Sequence, residues 1–174
     1  MTIKTILTEP NKILRQISKP VEKVGKEEQI LMDDMLETMY NAKGIGLAAI
    51  QIGIPKRIIV LDISKEENYK TPMFFVNPVI KNKNIELSTY EEGCLSVPNQ
   101  FAEIERPSEC KVEYLDYNGE KKFLEAKGLL ATCIQHEMDH LEGILFIDYL
   151  SKLKKTMIIK KLSKQKGKAD RIVV

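Results

Sequence analysis

The two histidines of this chain, His136 and His140, lie four residues apart, and this spacing constrains the fold more than any other feature. Residues at positions i and i+4 lie on the same face of an α-helix, so both imidazoles can reach one metal ion if the segment is helical. Glu137 projects about 100° around that helix from His136, where a carboxylate can exchange protons without binding the metal. The segment therefore predicts a functional helix, in preference to a surface helix with two titrating histidines.

A metal site on this helix needs a third ligand, and the residues close to it in sequence are poor candidates. Cys133 is on the same predicted helix, but it lies about 10 Å from His140 along the helix axis. We therefore expect Cys133 to line a pocket. The acids that follow the helix, Glu142 and Asp148, are possible ligands but have no distinctive sequence setting.

Cys94 is the strongest candidate for the third ligand. It follows Gly93 in a segment of polar residues, which predicts an exposed loop or strand end with close backbone approach. A cysteine in such a position is reactive, and coordination as a thiolate gives it a role. Two imidazole nitrogens and one thiolate leave a fourth position open to water, which is typical of a catalytic metal site.

Residues 44–51 contain a GxGxxA pattern that also occurs in dinucleotide-binding proteins. In those proteins the pattern follows a strand and begins a helix, whereas here a methionine-rich helix is predicted to run directly into Gly44. We interpret the segment as a glycine-containing loop whose backbone can pair with an extended peptide. Gln51 at its end can donate a hydrogen bond to a developing oxyanion.

The apolar pattern predicts an α+β fold, in which short antiparallel β-sheets pack around a central helix that carries the histidines. An N-terminal helix and a C-terminal helix complete the fold, after an irregular arm over residues 1–24. Four apolar residues recur at helical spacing in the first helix, and Gly44 is its predicted stop. The predicted helices are 26–43, 129–141 and 151 to about 166, and the predicted strands are 57–63, 73–80, 85–90, 111–117 and 121–125, with a hairpin turn at Asn118 and Gly119.

The length of 174 residues suits a single catalytic domain over residues 1–174, in which residues 152–174 form a basic helical tail. The longest apolar stretches, such as residues 58–61, are far shorter than the roughly 20 residues that a membrane span requires. Three cysteines without a repeating spacing indicate a reducing compartment. We expect a cytoplasmic protein, since the N-terminus has no signal or transit character.

The formal net charge of +2 conceals an asymmetry along the chain. Residues 152–174 contain eight lysines, one arginine and one aspartate, a charge of +8, whereas the first 151 residues carry −6. One interpretation of this tail is a solvated helix that frays. The other is a surface for a polyanion, with RNA ahead of membrane because the segment has no aromatic anchor. Neither a membrane partner nor specific DNA is expected.

Three segments together resemble the signature motifs of the peptide deformylase family. Residues 44–51 match GxGLAAxQ, residues 92–96 match EGCLS and residues 135–140 match QHExDH, in the family's order and with similar spacing. The resemblance extends from the N-terminal arm to about residue 150. It is highly specific because three motifs coincide.

The resemblance implies a role for each matching position. Glu137 would be the general acid and base, and the Gln51 side chain and the backbone N–H of Leu95 would stabilise the oxyanion. The metal ligands would be Cys94, His136 and His140. The substrate-binding residues would be Gly46, through its backbone, together with Ile45, Tyr90, Gly93, Leu129 and Cys133. Two positions depart from the family's pattern: many bacterial members carry arginine where Phe101 stands, and some carry a smaller aliphatic residue where Tyr90 stands.

The family's reaction removes the N-formyl group from nascent polypeptides that begin with formyl-methionine, and it releases formate. Metal-bound water attacks the formyl carbon while a glutamate accepts its proton. The resemblance implies ferrous iron, with zinc or nickel able to substitute, whereas the ligand types alone indicate zinc. Family members dock on the ribosome through the C-terminal helix, so a ribosomal partner is as good an interpretation of the basic tail as a solvated helix.

Two other functions fit part of the sequence. A general zinc metallopeptidase takes its third ligand from downstream, usually a histidine or glutamate, whereas here the best candidate thiolate precedes the helix. A non-catalytic ribosome-binding protein with the same fold would have a damaged site, but every expected catalytic position is present.

Overall fold

A computed structural model describes residues 2–64 and 69–169, with side chains as far as residue 164. The predicted α+β class, with antiparallel sheets around a central helix, is confirmed. The helices of the described residues are α1 (Lys26–Asn41), α2 (Gly128–Leu141) and α3 (Lys152–Ala169). The strands are β1 (Gly46–Ala48), β2 (Ile58–Leu61), β3 (Met73–Lys83), β4 (Leu87–Cys94), β5 (Val97–Pro107), β6 (Glu109–Leu115) and β7 (Lys121–Lys127).

A five-stranded antiparallel sheet, in the order β1-β2-β3-β6-β7, separates two apolar cores. Side chains alternate across a strand, so Ile58 and Val60 of β2 pack with the methionines of α1, while Ile59 and Leu61 pack with α2. All four are completely buried. A strand covered by a helix on each face needs an uninterrupted apolar sequence, which explains why β2 has no polar position.

Helix α1 packs on the sheet through the predicted methionine stripe, and Met32, Met35 and Met39 are completely buried. The helix ends at Asn41, before the predicted stop at Gly44, and the residue with a left-handed backbone after it is Lys43, at φ 56°. Gly44 has a different reason to be glycine. A Cβ there would lie 2.7 Å from Cδ1 of Leu95, so any side chain at this position would force the Leu95 side chain to move.

Two strands were not predicted from sequence. β5 pairs with β4 in a separate two-stranded sheet, which places Cys94 opposite Val97 at the hairpin end. Its alternate positions face solvent and include charged residues, and prolines stand near both ends, so its apolar pattern is weak. β1 lies inside the segment predicted as a loop, where the glycines concealed a short edge strand paired with β2.

Helix α2 ends at Leu141, and Gly143, two residues later, has φ +72° and lies against the N-terminal arm. An alanine Cβ at this position would lie 2.5 Å from the backbone oxygen of Arg15. We expect Gly143→Ala to lower the free energy of unfolding by about 1–3 kcal/mol, which is the usual cost of one strained backbone residue. Urea unfolding measures this change. Gly25→Ala is the matched control, since Gly25 has φ −126° and its Cβ would lie 3.6 Å from the nearest side-chain atom, and equal losses for both variants would contradict the prediction.

Helix α3 is more firmly packed than a solvated tail would be. Ile158, Ile159 and Leu162 recur on one face and contact a core formed by β5 and the segment after α2, and Leu162 is only 4 % exposed. Residues 152–164 therefore have one apolar face that packs on the protein, while most of their other side chains are exposed to solvent. Residues 170–174 of the predicted tail lie outside the described residues. No helix in the described ranges is long and apolar enough to cross a membrane.

Candidate active site

Helix α2 brings its functional residues into the interior of the protein. It packs against both sheets, so polar and apolar residues alike are buried along most of its length. Ile134 and Leu141 face the core, while His136, Glu137 and His140 are buried on the side toward β1 and β4. A buried polar face needs compensating partners, and those partners organise the site.

The structure brings Cys94 together with the two histidines. Cys94 Sγ lies 3.3 Å from His140 Nε2, and one ligand atom from each of the three residues lies within 4.8 Å of the others. Within the described parts of the chain, this is the one cluster of its kind that could hold a metal ion. The alternative ligands are engaged elsewhere, because Glu142 pairs with Arg57 and Asp148 pairs with Arg15. One sulfur and two imidazole nitrogens fit a transition metal such as zinc or iron.

A buried ion-pair network orients His136, and sequence reasoning missed it. His136 Nδ1 donates to Glu92 Oε2 at 2.8 Å, which leaves Nε2 free to act as a ligand. Arg106 in turn donates to both Glu92 oxygens, at 2.5 and 3.0 Å, and to Asp139 at 2.8 Å. Burial alone would raise the pKa of Glu92, but the hydrogen bonds from His136 and Arg106 outweigh it and lower this pKa. The signal available in the sequence was the acid in each motif, at positions 92 and 139.

Glu137 lies in a tight space between α2 and β1. A Cβ at Gly46 would lie 2.4 Å from Glu137 Oε1, so only glycine leaves room for this carboxylate. The other oxygen, Oε2, is buried and has no hydrogen-bond partner among the described residues. Burial raises the pKa of Glu137 to about 7, a value suited to a group that both accepts and donates protons.

The Gln51 side chain has a defined orientation beside Cys94. Its Oε1 accepts a hydrogen bond from the backbone N–H of Ala48 at 2.8 Å, so Nε2 must point the other way. That nitrogen donates to Ser96 Oγ at 3.0 Å and lies 3.6 Å from Cys94 Sγ. Leu95 lies in the turn between β4 and β5 and reaches the same space. Two potential donors therefore flank the metal-ligand cluster.

A cavity of about 540 Å³ opens beside these groups. Eleven of the twelve site residues predicted from sequence line it, and the twelfth, His140, contacts Cys94. Burial raises the pKa of the Cys133 thiol to about 12, which keeps this wall of the cavity neutral. Phe101 stands at the mouth, where its ring lies against Gly93 and is 65 % exposed. The predicted substrate-binding residues on the wall are Ile45, Gly46, Tyr90, Gly93, Leu129 and Cys133.

A buried carboxylate next to a three-ligand group can remove a proton from water and return it to a leaving group. This is the chemistry of a metal-dependent hydrolase, and it is the class that fold and site together define. Residues 3–156 match the family model described as polypeptide deformylase. The chain belongs to the polypeptide deformylase family, whose members depend on a metal ion and remove the N-formyl group from nascent polypeptides.

Relatives of known name and structure agree with this assignment. The chain is 77 % identical to a peptide deformylase of Pelagibacter ubique over the full length of both chains. The structure of a peptide deformylase from Ehrlichia chaffeensis in complex with actinonin has a TM-score of 0.89 and 45 % identity, covering 95 % of this chain and 98 % of that one. A Met-Ala-Ser-bound peptide deformylase from Acinetobacter baumannii has a TM-score of 0.80 and 34 % identity, over 86 % and 99 %. This chain is accordingly an enzyme of N-terminal processing, and the two other functions considered from sequence are set aside.

Proposed function

We propose that Cys94, His136 and His140 hold one divalent ion, and that this ion is ferrous iron, which zinc or nickel can replace. The convergence of one thiol and two imidazoles supports the ligand set, and the resemblance to the family supports iron. When bound, such an ion lowers the pKa of a coordinated water and polarises a carbonyl oxygen. The network of Glu92 and Arg106 keeps the Nε2 of His136 available as a ligand.

Glu137 is the proton carrier in this proposal. Its unpaired Oε2 accepts a proton from the attacking water and delivers it to the departing amine nitrogen. Because residue 46 is glycine, the carboxylate can lie against β1 beside the three proposed ligands, where it can serve both steps. Burial raises the pKa of Glu137, which favours its protonated form between the two steps.

Two hydrogen-bond donors stabilise the negative charge that develops on the formyl oxygen. Gln51 Nε2 is oriented by the bonds to Ala48 and Ser96, and its second N–H, which points toward Cys94 Sγ, is the one that would turn to the developing charge. The backbone N–H of Leu95 is the second donor. Preorganised donors of this kind typically contribute 10²–10³-fold each to kcat.

The cavity is proposed to bind the methionine side chain of the substrate. Its wall of Ile45, Tyr90, Leu129 and Cys133 is largely apolar, as an unbranched thioether requires. β1 is the edge of its sheet, so the backbone at Gly46 can pair with an extended peptide. The Met-Ala-Ser complex of the Acinetobacter baumannii relative supports a peptide of this type.

The single observation that carries the proposal is the convergence of Cys94, His136 and His140, with the buried Glu137 beside them. The test is formate release from formyl-Met-Ala-Ser by anaerobically purified protein, measured together with metal content. We expect one metal ion per chain and formate release, with no cleavage of unblocked peptides. Peptide-bond cleavage without formate would contradict the proposal.

In the cell, residues 1–174 are proposed to work as one cytoplasmic catalytic domain that docks on the ribosome through its basic C-terminal helix. The supporting observation is the charge of +8 over residues 152–174 beside a body of −6. Ribosomal RNA is a polyanion that attracts such a surface.

Deletion of residues 165–174 is expected to weaken ribosome binding and to leave the turnover of formyl-Met-Ala-Ser unchanged. The deletion removes two lysines, one arginine and one aspartate but keeps Leu162 and the packed face of α3. Co-sedimentation with ribosomes at several salt concentrations measures the slope of the logarithm of the binding constant against the logarithm of the salt concentration. This slope should be shallower by about 2 for the shortened chain than for the full chain. Equal affinity of both chains for ribosomes at every salt concentration would return this segment to the role of a solvated helix.

A further inference from the structure

A second groove runs between β5 and α3, outside the catalytic cavity. We call it the α3 groove. It has a volume of about 740 Å³, with an apolar floor that includes Phe101, Met157 and Ile158. Phe101 and Met157 are 65 % and 61 % exposed, and both line this one groove. The lysines along its rim are Lys154, Lys160, Lys161 and Lys164.

The α3 groove is continuous with the catalytic cavity. Gln100 and Phe101 line both spaces, so one ends where the other begins. In the β4–β5 sheet Phe101 stands opposite Gly93, the neighbour of Cys94. Paired strands are about 5 Å apart and an extended chain advances about 3.3 Å per residue, so three residues span the distance from the metal-ligand cluster to Phe101.

The charged rim is separate from the packed face of α3. Ile159 and Leu162 face the core, whereas Lys154, Met157, Lys161 and Lys164 recur at intervals of three or four residues on the groove side. Lys155, by contrast, pairs with Asp148. In the described part of the chain no ion pair engages the groove-side lysines, and Glu103 is the one acid among the residues that line the groove there.

We propose that the α3 groove binds the part of the substrate polypeptide that follows its third residue, with a preference for acidic residues. This inference rests on the proposed function, since the formylated end must occupy the catalytic cavity for the rest of the chain to reach the groove. A polypeptide that leaves the catalytic cavity past Phe101 enters the α3 groove, where the lysine rim adds four positive charges to the charged residues of the cavity itself, which include Lys43 and Glu91. The groove lowers KM for acidic substrates and leaves kcat unchanged, because it contacts no reacting atom.

The test compares formyl-Met-Ala-Ser with the same peptide extended by three aspartates or by three lysines. We expect kcat/KM to be about five- to tenfold higher for the acidic than for the basic extension, the combined effect of two or three exposed charge pairs. The difference should lie in KM and disappear in about 1 M salt, where the Debye length is about 3 Å. If the tripeptide itself releases no formate, the proposed function fails. If it is turned over but both extensions behave alike, the groove inference alone fails.

Charge reversal distinguishes the α3 groove from a general effect of charge. The readout is kcat/KM for the acidic peptide divided by kcat/KM for the tripeptide. The double variant Lys154→Glu with Lys161→Glu should lower this ratio by at least about fivefold. Lys23→Glu with Lys26→Glu changes the net charge equally on exposed lysines that line neither space, and it should leave this ratio unchanged. Lys154→Gln with Lys161→Gln is a second variant with less risk to folding, and it should reduce the preference without inverting it, since Lys160 and Lys164 remain. If the variants at Lys154 and Lys161 no longer bound a short single-stranded RNA but still preferred the acidic peptide, the inference would be overturned and the rim would be assigned to RNA.

Discussion

Glu137→Gln is expected to lower kcat for formyl-Met-Ala-Ser by on the order of 10²–10⁴-fold, the usual contribution of a positioned general acid–base group. Glutamine has nearly the same shape as glutamate, so it fits the space that Gly46 leaves for Oε1. It cannot accept a proton from water or return one to the amine. Since Glu137 is not among the three clustered ligands, the metal content should stay at the level of the unchanged protein.

Formate release and elemental analysis of the same sample separate the two roles of this residue. Glu142→Gln is a suitable control, because Glu142 follows the same helix and its side chain is half-exposed, paired with Arg57. This variant should retain both metal and activity. A Glu137→Gln protein that had lost its metal along with its activity would identify Glu137 as a ligand and contradict the proposed role.

Cys94→Ser is expected to have the second large effect, on metal affinity. A serine hydroxyl stays protonated where a cysteine becomes a thiolate, so the site loses its one anionic ligand. Mutation of a residue that only hydrogen-bonds to a metal ligand typically lowers metal affinity by roughly 10–100-fold. Replacement of Cys94, a proposed ligand itself, should lower it by more. Activity should fall with metal occupancy.

Metal content after dialysis against a chelator measures this change. Cys110→Ala removes a buried thiol from the core between the sheet and α2, and it should reduce stability without affecting metal content. An unchanged metal content in Cys94→Ser would exclude Cys94 from the coordination sphere. In that case the acids considered from sequence would have to be examined again, although both are paired with arginines.

Much of the fold followed from local pattern. The methionine stripe of α1 and the apolar run of β2 are signals that need no tertiary information, and both elements lie where they were predicted. β5 was missed because half of its residues face solvent and it is recognisable mainly through its pairing with β4. Although β4 directly precedes it in the chain, a strand of that kind is stabilised by cross-strand contacts that its own residue pattern does not reveal.

The sequence by itself determined which residues could do the chemistry. Two histidines one helical turn apart, a glutamate between them and a cysteine after glycine specify donor types and a helix, because helical periodicity is a local property. Only the tertiary structure decided how these groups are held. The Glu92–Arg106 network, the contact of Glu137 with Gly46 and the α3 groove join residues from distant parts of the chain. Their proximity results from how sheets and helices pack to bury apolar surface, which no single segment encodes.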